Sequence, residues 1–424
     1  MSKSIKQGSG MPLVVWVMQD DFSSQTIEAI NKEFTRRTNV KVEVQVQPWA
    51  QISTKIMTSL VTSSPPDVLD IGNTKLASFA QSGGLADLSR YKRQFDNHDS
   101  WLAGLAEAGE FDNHLYGVPA FGATRAVIYN KKLWAQAGIV QPPATYKELI
   151  DDLNRISEVH KSDKDFSAFY LPAKNWFLAM QFIWDFKGNV FDKSSGVFRP
   201  SMSSKASLRG LQEWRLFQNS YSSKASRVAD ANSPDMAQMM AENKTSAIFS
   251  NSASLKRISE INPQISQSDL GTFPFPSALP DRQSRNEVTY SKNKQPAVLS
   301  GSLWAVAARS PNADLAAEWI SIATGSYIQR KYLFSADKWI PNNTNDVKKV
   351  LTTLPESDNS KGFFEAALLT SSTPALPLWS HIEEDSSMKE MLVAIASSRK
   401  DGGGAARVFD NHLEDLLKRS GDEK

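Results

Sequence analysis

The chain contains no cysteine among its 424 residues. This absence excludes disulfides, thiolate metal ligands, iron–sulfur clusters and cysteine nucleophiles. Neither sign of charge is in excess, because 48 Lys and Arg stand against 46 Asp and Glu, so there is no basic surplus to neutralise a nucleic acid backbone. Long apolar runs are missing too, since stretches such as 13–18 are far shorter than the ~20 residues that cross a bilayer. We therefore expect a soluble mature chain that does not bind nucleic acid.

Motifs for nucleotide binding and for metal-dependent hydrolysis are also missing. Neither G-x-x-x-x-G-K-[ST] nor G-x-G-x-x-G occurs, so the sequence predicts no glycine-rich loop that cradles a phosphate. The five histidines include no i, i+4 pair with the glutamate of a zinc hydrolase between them. We therefore expect no cofactor and no metal site.

Apolar periodicity in the first hundred residues predicts strands and helices in alternation. Residues 13–18 form a continuous apolar run, which is typical of a central strand that is buried on both faces. Residues 26–37 carry apolar side chains at helical spacing, and residues 40–46 alternate valine with polar side chains, as a strand nearer the edge does. A second helix at 52–60 and a short strand at 68–71 follow. The order βαβαβ predicts a parallel sheet with right-handed crossovers.

Polar loops follow the first and third of these strands. Gln19, Asp20 and Asp21 come directly after the first strand, and Asn73 comes after the third. Ligands of open α/β sheets bind beyond the carboxyl ends of the strands, because neighbouring loops diverge there and leave a crevice. We therefore expect these four side chains to contact a ligand.

Two further segments carry local structural signals. Thr145 stands three residues before Glu148 and ahead of an apolar stripe, which predicts a helix that begins with a capping box. Residues 117–122 mix glycines and a proline between apolar stretches. Such a segment is typical of a crossing between domains that absorbs a hinge rotation.

Short motifs also occur in a fixed order along most of the chain. They are VWVMQDD (15–21), EFTRRTNVKVEV (33–44), WAQI (49–52), SPPDV (64–68), FAQSGGLADL (79–88), HLYGVP (114–119), YNKKLW (129–134), QPPATYKEL (141–149), SGSLWAV (300–306), SPN (310–312) and AAEW (316–319). This ordered set resembles the extracellular solute-binding proteins of carbohydrate ABC transporters, family 1, the group that includes the maltose-binding protein.

The resemblance implies an α/β fold of the two-lobed periplasmic-binding-protein type (type II). Each lobe is then a mostly parallel sheet flanked by helices, and hinge segments join the lobes. The expected bounds are 11–120 plus 298–341 for the N-terminal lobe, 124–295 plus 344–424 for the C-terminal lobe, and 119–124, 296–301 and 340–344 for the hinges. Residues 1–10 are expected to be an artificial joint or a disordered segment.

The chain departs from the family pattern at positions that bear on the ligand. Thr74 and Lys75 stand where maltose-binding relatives carry Asp-Arg, and the Ser-Asn-Ser sequence at 250–252 replaces an aromatic side chain after a later strand. Maltose itself is therefore not implied. Thr124 and Arg125 resemble a threonine–arginine pair of relatives from Gram-positive bacteria, in which the arginine reaches the sugar.

The 11 tryptophans are candidate sugar platforms. A sugar presents a face of C–H groups and a rim of hydroxyls, so its site needs flat apolar surfaces among convergent donors and acceptors. Tryptophan also packs in cores, and Trp16, Trp214 and Trp319 fit that alternative. For the six at loop junctions both interpretations stay open, and the family positions of Trp176, Trp304 and Trp379 favour the site. The six are Trp49, Trp176, Trp184, Trp304, Trp339 and Trp379.

Polar side chains are the second set of candidates. Asp20 and Asp21 accept charge-assisted hydrogen bonds from hydroxyls, or one of them caps the following helix. Arg125 offers a rigid fork of donors, or it closes the hinge through a salt bridge. The remaining candidates are Asn73, Phe121, Asn175, Asn251 and Ser302.

Together these features predict a receptor that captures a disaccharide or oligosaccharide in a cleft between its lobes. It is expected to deliver the sugar to the membrane permease of an ABC importer, to be a monomer and to catalyse no reaction. We expect it outside the cytoplasm, as a periplasmic protein or a cell-surface lipoprotein whose export signal is absent from this chain. Two alternatives stay open: a glycoside hydrolase that uses Asp20 with Asp21 or Glu383, and a receptor for a solute other than sugar.

Overall fold

The computed structural model describes residues 11–194, 197–230, 235–281, 289–290, 293–398 and 402–422. The expectation for residues 1–10 lies outside these described residues. The chain begins in the predicted order βαβαβ, and the remaining elements continue this mixture of strands and helices.

The strands and helices are numbered in chain order. The strands are β1 Leu13–Met18, β2 Val42–Gln47, β3 Val68–Gly72, β4 Glu110–Phe111, β5 His114–Leu115, β6 Gly117–Ala123, β7 Ala126–Asn130, β8 Phe191–Ser194, β9 Val197–Pro200, β10 Ala247–Ser250, β11 Leu270–Phe273, β12 Pro280–Asp281, β13 Thr289–Tyr290, β14 Ala297–Val298, β15 Ser300–Val306 and β16 Thr370–Ser371. The α-helices are α1 Ser24–Thr38, α2 Ile52–Leu60, α3 Leu76–Gln81, α4 Ala103–Ala108, α5 Lys131–Gln136, α6 Tyr146–Val159, α7 Trp176–Asp185, α8 Lys205–Tyr221, α9 Met236–Ala241, α10 Ala253–Ile261, α11 Ala313–Ala323, α12 Ser326–Ile328, α13 Thr344–Thr353, α14 Lys361–Ala367, α15 Trp379–Glu384, α16 Ser387–Ser397 and α17 Gly403–Asp422. Short 3₁₀ helices lie at Ser89–Gln94, Lys224–Arg227 and Gln267–Asp269, and a π-helical segment at Gln329–Phe334.

The chain divides into two compact units, each built from separated segments. Unit 1 runs to Ala123 and resumes at Leu299–Thr353 and Thr370–His381. Unit 2 comprises Thr124–Val298, Leu354–Leu369 and the chain from Ile382 onward.

Unit 1 is built on a sheet with the strand order β2-β1-β3-β15-β6. Strands β1, β2 and β3 run parallel, with Val15 opposite Val44 on one side and Val68 on the other. Strand β15 comes from late in the chain and runs antiparallel to both β3 and β6. The predicted parallel βαβαβ start is confirmed, and β2 is the edge strand that its alternating sequence indicates.

Unit 2 contains a sheet with the strand order β10-β7-β11, in which both outer strands run antiparallel to β7. Parallel bridges from Ser167 to Thr245 and from Tyr170 to Ile248 extend this sheet beside β10. The sheet is therefore mixed, although we expected a mostly parallel sheet in each lobe. The pairing is parallel between Tyr170 and β10, and it is antiparallel between β7 and each of its neighbours, β10 and β11.

Local sequence signals explain how several helices begin and end. Helix α1 starts at the N-cap Ser23, whose hydroxyl accepts a hydrogen bond from the Thr26 N–H, and ends at Asn39 in the left-handed region with φ 58°. The capping box predicted for Thr145 and Glu148 is present at the start of α6. Among the residues that the structure describes, no helix combines the length and the apolar character that a bilayer crossing requires.

The structure corrects the expected domain bounds in one region. Residues 344–353 and 370–381 belong to unit 1, although we placed them in the C-terminal lobe. The buried carboxylate of Asp346 in α13 accepts a hydrogen bond from Ser326 at 2.7 Å and pairs with Arg330 at 2.6 Å. These contacts tie α13 to the helices that precede it, so the chain leaves unit 1 after α13 and not near 340–344.

Candidate functional site

In unit 1, several predicted side chains lie at one edge of the sheet. Strands β1 and β3 both end there, because they run parallel, and Ser302 at the start of β15 lies opposite Gly72 at the end of β3. The loop after β1 carries Asp21, and Asn73 follows β3 directly. The antiparallel sense of β15 therefore brings Ser302 to the edge at which the parallel strands place Asp21.

Asp21 is the centre of this edge, with only 7% of its surface exposed. Its carboxylate accepts a hydrogen bond from the Ser302 hydroxyl at 3.2 Å and another from the indole N–H of Trp49. Its backbone carbonyl accepts a hydrogen bond from the indole N–H of Trp339 at 2.7 Å. Because Ser23 is the N-cap of α1, Asp21 does not fill the capping role that the sequence left open.

Asp70 in β3 joins this cluster, although sequence reasoning did not include it. Its side chain is fully buried, accepts a hydrogen bond from the Met18 N–H at 3.1 Å and is in hydrogen-bond contact with Asp21. Burial and the adjacent Asp70 carboxyl raise the pKa of Asp21 to about 8. Burial also raises the pKa of Asp70, to about 6. The available signal was an acidic residue within the otherwise apolar strand sequence 68–71.

Trp49 presents the exposed aromatic face of unit 1. Its side chain is 46% exposed, and two atoms of its ring lie 3.6 and 3.7 Å from the position that a Cβ on Gly72 would occupy. The ring therefore rests on the backbone at the end of β3, and its N–H is held by Asp21. An indole fixed in this way offers a flat apolar surface bordered by buried acceptors.

An aromatic stack continues from this edge into the core of unit 1. The ring of Trp339, which is half-buried, stacks on Phe121 with centroids 4.6 Å apart. Phe121 packs edge-on against Phe22 at 5.4 Å, and Phe22 stacks on Trp304 at 4.9 Å. Trp304 also contacts Trp319 edge-on at 4.8 Å.

The structure places three of the candidate tryptophans in cores. Trp304 is 0% exposed and Trp379 is 1% exposed. Trp184 is 7% exposed and its N–H donates to Asn189 at 3.4 Å. A ring enclosed in this way offers no face to a ligand, so the core alternative applies to these three and the expectation from family position is corrected for Trp304 and Trp379.

The other polar candidates of unit 1 differ in what they touch. Gln19 and Asp20 are exposed in the loop after β1, and Asp20 has a left-handed backbone with φ 70°. Asn73 is buried, and its side-chain amide donates to the Leu299 carbonyl at 3.2 Å. Its backbone N–H donates to the Gly301 carbonyl at 3.0 Å. Asn73 therefore holds the loop after β3 against β15.

In unit 2, Arg125 and Trp176 lie on either side of one phenylalanine. The Arg125 guanidinium lies 3.1 Å from the centroid of the Phe177 ring, and the Trp176 ring stacks on Phe177 with centroids 4.0 Å apart. Burial lowers the pKa of Arg125 from its ordinary value. Trp176 is half-buried at the start of α7, so part of its ring remains accessible.

Asn251 lines a cavity of about 490 Å³ in unit 2, together with Met236, Asp235 and Arg257. Asn175 lies next to this group, since its amide donates to the Phe249 carbonyl at 3.2 Å and contacts the Met236 sulfur at 3.6 Å. Asn175 is 2% exposed, and within the described part of the chain its Oδ1 has no hydrogen-bond partner. The two predicted asparagines are thus brought together at the end of β10.

The fold of this chain is that of the two-lobed type II binding proteins. The sugar-binding protein MalE from Xanthomonas citri superimposes with a TM-score of 0.79 over 97% of this chain and 98% of that chain, at 18% identity. The maltose-binding periplasmic protein MalE from Listeria monocytogenes, solved in complex with maltose, gives a TM-score of 0.76 over 96% and 99%, at 19% identity.

The sequence defines the family. Residues 19–366 match the family described as bacterial extracellular solute-binding protein. The chain is also 30% identical over 404 residues to the diacetylchitobiose-binding protein DasA of Streptomyces coelicolor, which covers 94% of this chain and 88% of that protein. This chain belongs to the bacterial extracellular solute-binding proteins.

Proposed function

We propose that this chain is the carbohydrate-binding receptor of an ABC importer, and that Trp49 is the platform on which a sugar ring stacks. The supporting observation is an exposed indole that rests on Gly72 and is held by Asp21. A fixed aromatic face beside buried acceptors suits the C–H face and hydroxyl rim of a pyranose. Asp21 then accepts a hydrogen bond from a hydroxyl at the rim of the same sugar, the Ser302 hydroxyl holds the Asp21 carboxyl in place by donating to it, and exposed Gln19 and Asp20 add further polar groups.

We also propose ligand contacts on unit 2. Trp176 retains an accessible part of its ring beside Arg125, and Asn251 lines a cavity. The unpartnered Oδ1 of Asn175 supplies an acceptor for a ligand hydroxyl or amide N–H, because a buried acceptor gains most from a new hydrogen bond.

The ligand that we propose to test first is diacetylchitobiose, because the relative DasA from Streptomyces coelicolor is named as a diacetylchitobiose-binding protein. Thr74 and Lys75 depart from the pattern of maltose-binding relatives, which favours a sugar other than maltose. An N-acetylated disaccharide carries amide donors as well as hydroxyls, and the acceptors of Asp21 and Asn175 suit both.

We propose that binding proceeds without turnover. A retaining glycosidase holds its two carboxyl groups ~5 Å apart and an inverting one ~6.5–9.5 Å apart, because the scissile bond lies between them. Asp21 and Asp70 are instead in direct hydrogen-bond contact. Such a pair leaves no room for a glycosidic oxygen, which argues against Asp21 and Asp70 as the two carboxyl groups of a glycosidase.

The remaining parts of the proposal concern partners and location. We propose that the receptor acts as a monomer outside the cytoplasm, either periplasmic or anchored as a lipoprotein, and that it presents its ligand to a membrane permease. The near balance of 48 basic and 46 acidic side chains argues against nucleic acid as a partner.

A ligand panel tests the receptor function. The chain is incubated with diacetylchitobiose, maltose, longer oligosaccharides of both types and their monosaccharides, and its melting temperature is measured. We expect a rise in melting temperature with at least one sugar, because a ligand that binds the folded state stabilises it. Chromatography of the same samples should return the sugar unaltered. Cleavage of the sugar would contradict the receptor function, and no shift with any sugar would contradict a carbohydrate ligand.

Replacement of the platform tests the proposed site. We expect Trp49→Ala to weaken binding of the panel's best sugar by ~2 kcal/mol, about 30-fold, because the stacking surface is lost. Val61→Ala is the matched control, since Val61 is also an exposed apolar residue of unit 1, at 64%. Calorimetric titration of both variants gives the result. Equal affinities for the two variants would remove Trp49 from the site.

A further inference from the structure

The Asp21–Asp70 carboxyl pair is a buried acidic group that ligand binding does not by itself require. Asp70 is 0% exposed and Asp21 is 7% exposed, and their carboxyl groups are in hydrogen-bond contact. Ionised carboxylates only accept hydrogen bonds. Their contact therefore requires a proton on one of the two groups.

The donors around the pair are too few for two negative charges. They are the Met18 N–H on Asp70, the Trp49 N–H on Asp21, and the Ser302 hydroxyl, whose single hydrogen serves both carboxyl groups. Within the described residues, the Oδ1 atom of Asp70 has no hydrogen-bond partner. Each of these donors is neutral and supplies one hydrogen, so two buried charges would remain poorly compensated. A single shared proton removes one of the charges and supplies the missing hydrogen bond.

Two charged side chains on the neighbouring elements, Lys55 and Asp337, are engaged with other partners. The Lys55 ammonium group donates to Gln47 and lies 5.3 Å from the centroid of the Trp16 ring. Asp337 accepts hydrogen bonds from the Thr26 hydroxyl at 2.8 Å and the Ser23 N–H at 3.3 Å. The adjoining loops also carry the exposed Asp20, Lys75 before α3, and Lys338, whose ammonium group lies 6.0 Å from the Phe334 ring.

We propose that Asp70 is a positioning residue, which shares one proton with Asp21 and so holds the Asp21 carboxyl and the Trp49 indole in the geometry that binds the ligand. The proposal rests on the sugar site proposed above, and it adds a dependence of that site on pH. Asp70 lies in β3 behind Asp21, so it acts on the ligand only through Asp21.

The direction of the pH dependence follows from the proton balance. As pH rises, the pair loses its shared proton, and two adjacent buried charges then repel each other. The Asp21 side chain moves apart from Asp70, and Trp49 loses its fixed acceptor. Since burial and the neighbouring carboxyl raise the pKa of Asp21 to about 8, the loss falls in mildly alkaline solution. Because the two groups interact, the titration belongs to the pair.

The first test needs no ligand. The fluorescence of Trp49, taken as the difference between the full chain and its Trp49→Phe variant, is followed from about pH 5 to about pH 10. We expect a transition with a midpoint near 8, and we expect Asp70→Asn to abolish it, because the amide keeps a hydrogen-bond donor to Asp21 that it cannot lose. Asp67→Asn is the matched control, since Asp67 is also buried and bonds instead to the Val14 N–H and to Ser310.

The second test uses diacetylchitobiose, or whichever panel sugar binds best. We expect its dissociation constant to increase ~10-fold between about pH 6.5 and about pH 9.5 in the unmodified chain and in Asp67→Asn. In Asp70→Asn the change should be less than ~2-fold, because the charge of this variant no longer alters in that range. A merely structural role of Asp70 would weaken binding equally at every pH.

Carbon-13 NMR of the aspartate carboxyls of the unmodified chain covers the case in which Asp70→Asn does not fold. An aspartate resonance that titrates above about pH 6 and is absent from Asp21→Asn supports the shared proton, and titration of every aspartate below about pH 5 overturns it. An unchanged Trp49 fluorescence transition in Asp70→Asn would also overturn it. If the transition occurs as expected but no sugar binds at any pH, the shared proton stands and the proposed function fails.

Discussion

At the scale of single residues, the tryptophans show what a sequence position does and does not reveal. Trp49 and Trp304 both lie near loop junctions, so the sequence left both open between platform and core. The structure leaves Trp49 46% exposed and encloses Trp304 completely. Phe22, which stacks on Trp304, lies 282 positions earlier in the numbering, and Trp319 lies in the next helix, α11, so the local pattern around Trp304 could not predict its burial.

The enclosure of Trp304 predicts a stability effect. We expect Trp304→Ala to lower the free energy of unfolding by ~3–5 kcal/mol, because it leaves a large cavity against Phe22 and Trp319. Urea denaturation measures this loss. Trp49→Ala is the comparison and should lower it by less than ~1 kcal/mol, since an exposed ring contributes little packing. Similar losses in the two variants would contradict the assignment of Trp304 to the core.

Asp70 is the residue that sequence reasoning missed. The apolar pattern of 68–71 correctly predicts β3. It does not indicate what the acidic residue within this strand contacts. Its importance arises from Asp21, which lies 49 positions earlier in the numbering and comes into contact because β1 and β3 are neighbours in the sheet. Pairing of this kind belongs to the fold and not to a local motif.

At the scale of strands and helices, short-range patterns predicted more than long-range pairing. The continuous apolar run of β1, the helical spacing in α1 and the alternation in β2 each correspond to an observed element. The insertion of β15 between β3 and β6 could not be read in this way, because its partners lie far away in the chain. Without that insertion Ser302 would not reach Asp21.

The capping box of α6 gives a prediction at this scale. We expect Thr145→Ala to lower the free energy of unfolding by ~1 kcal/mol, since the Glu148 N–H loses the hydroxyl that accepts its hydrogen bond. Denaturant titration checks this value. The control is Lys147→Ala in the same helical turn, whose exposed ion pair with Asp151 contributes at most ~0.5 kcal/mol. A cap that contributes nothing would give the two variants equal stability.

At the scale of the whole molecule, the chain forms two units from interleaved segments. The resemblance, and no periodicity in the sequence, led us to expect that a late segment, 298–341, returns to the N-terminal lobe, and in the structure Leu299–Thr353 belongs to unit 1. Segments 344–353 and 370–381, which we assigned to the wrong lobe, show that the resemblance did not predict every domain boundary. Their assignment depends on contacts such as Ser326 with Asp346, and these are set by tertiary packing.

The buried carboxyl pair also predicts how overall stability depends on pH. The pKa of Asp21 is raised to about 8 in the fold, so between about pH 4 and about pH 8 the folded chain holds a proton that the unfolded chain has released. The contribution of the pair to the unfolding free energy is therefore fully present below about pH 4 and is lost as pH rises through about 8. Denaturant titrations at several pH values should show this fall in the unmodified chain and a weaker one in Asp21→Asn. Parallel curves for the two proteins would contradict it.

The most direct test of the central claim is a spectrum of the chain with nitrogen-15 in its tryptophan indoles, recorded with and without diacetylchitobiose or the panel's best sugar. The signal of Trp49, assigned with the Trp49→Phe variant, should shift as the sugar saturates the protein, because the ring forms the platform. The signals of Trp214 and Trp304, which are fully enclosed in the two units, should move far less. A saturated complex in which the Trp49 signal stays in place would contradict the claim that the sugar stacks on this indole.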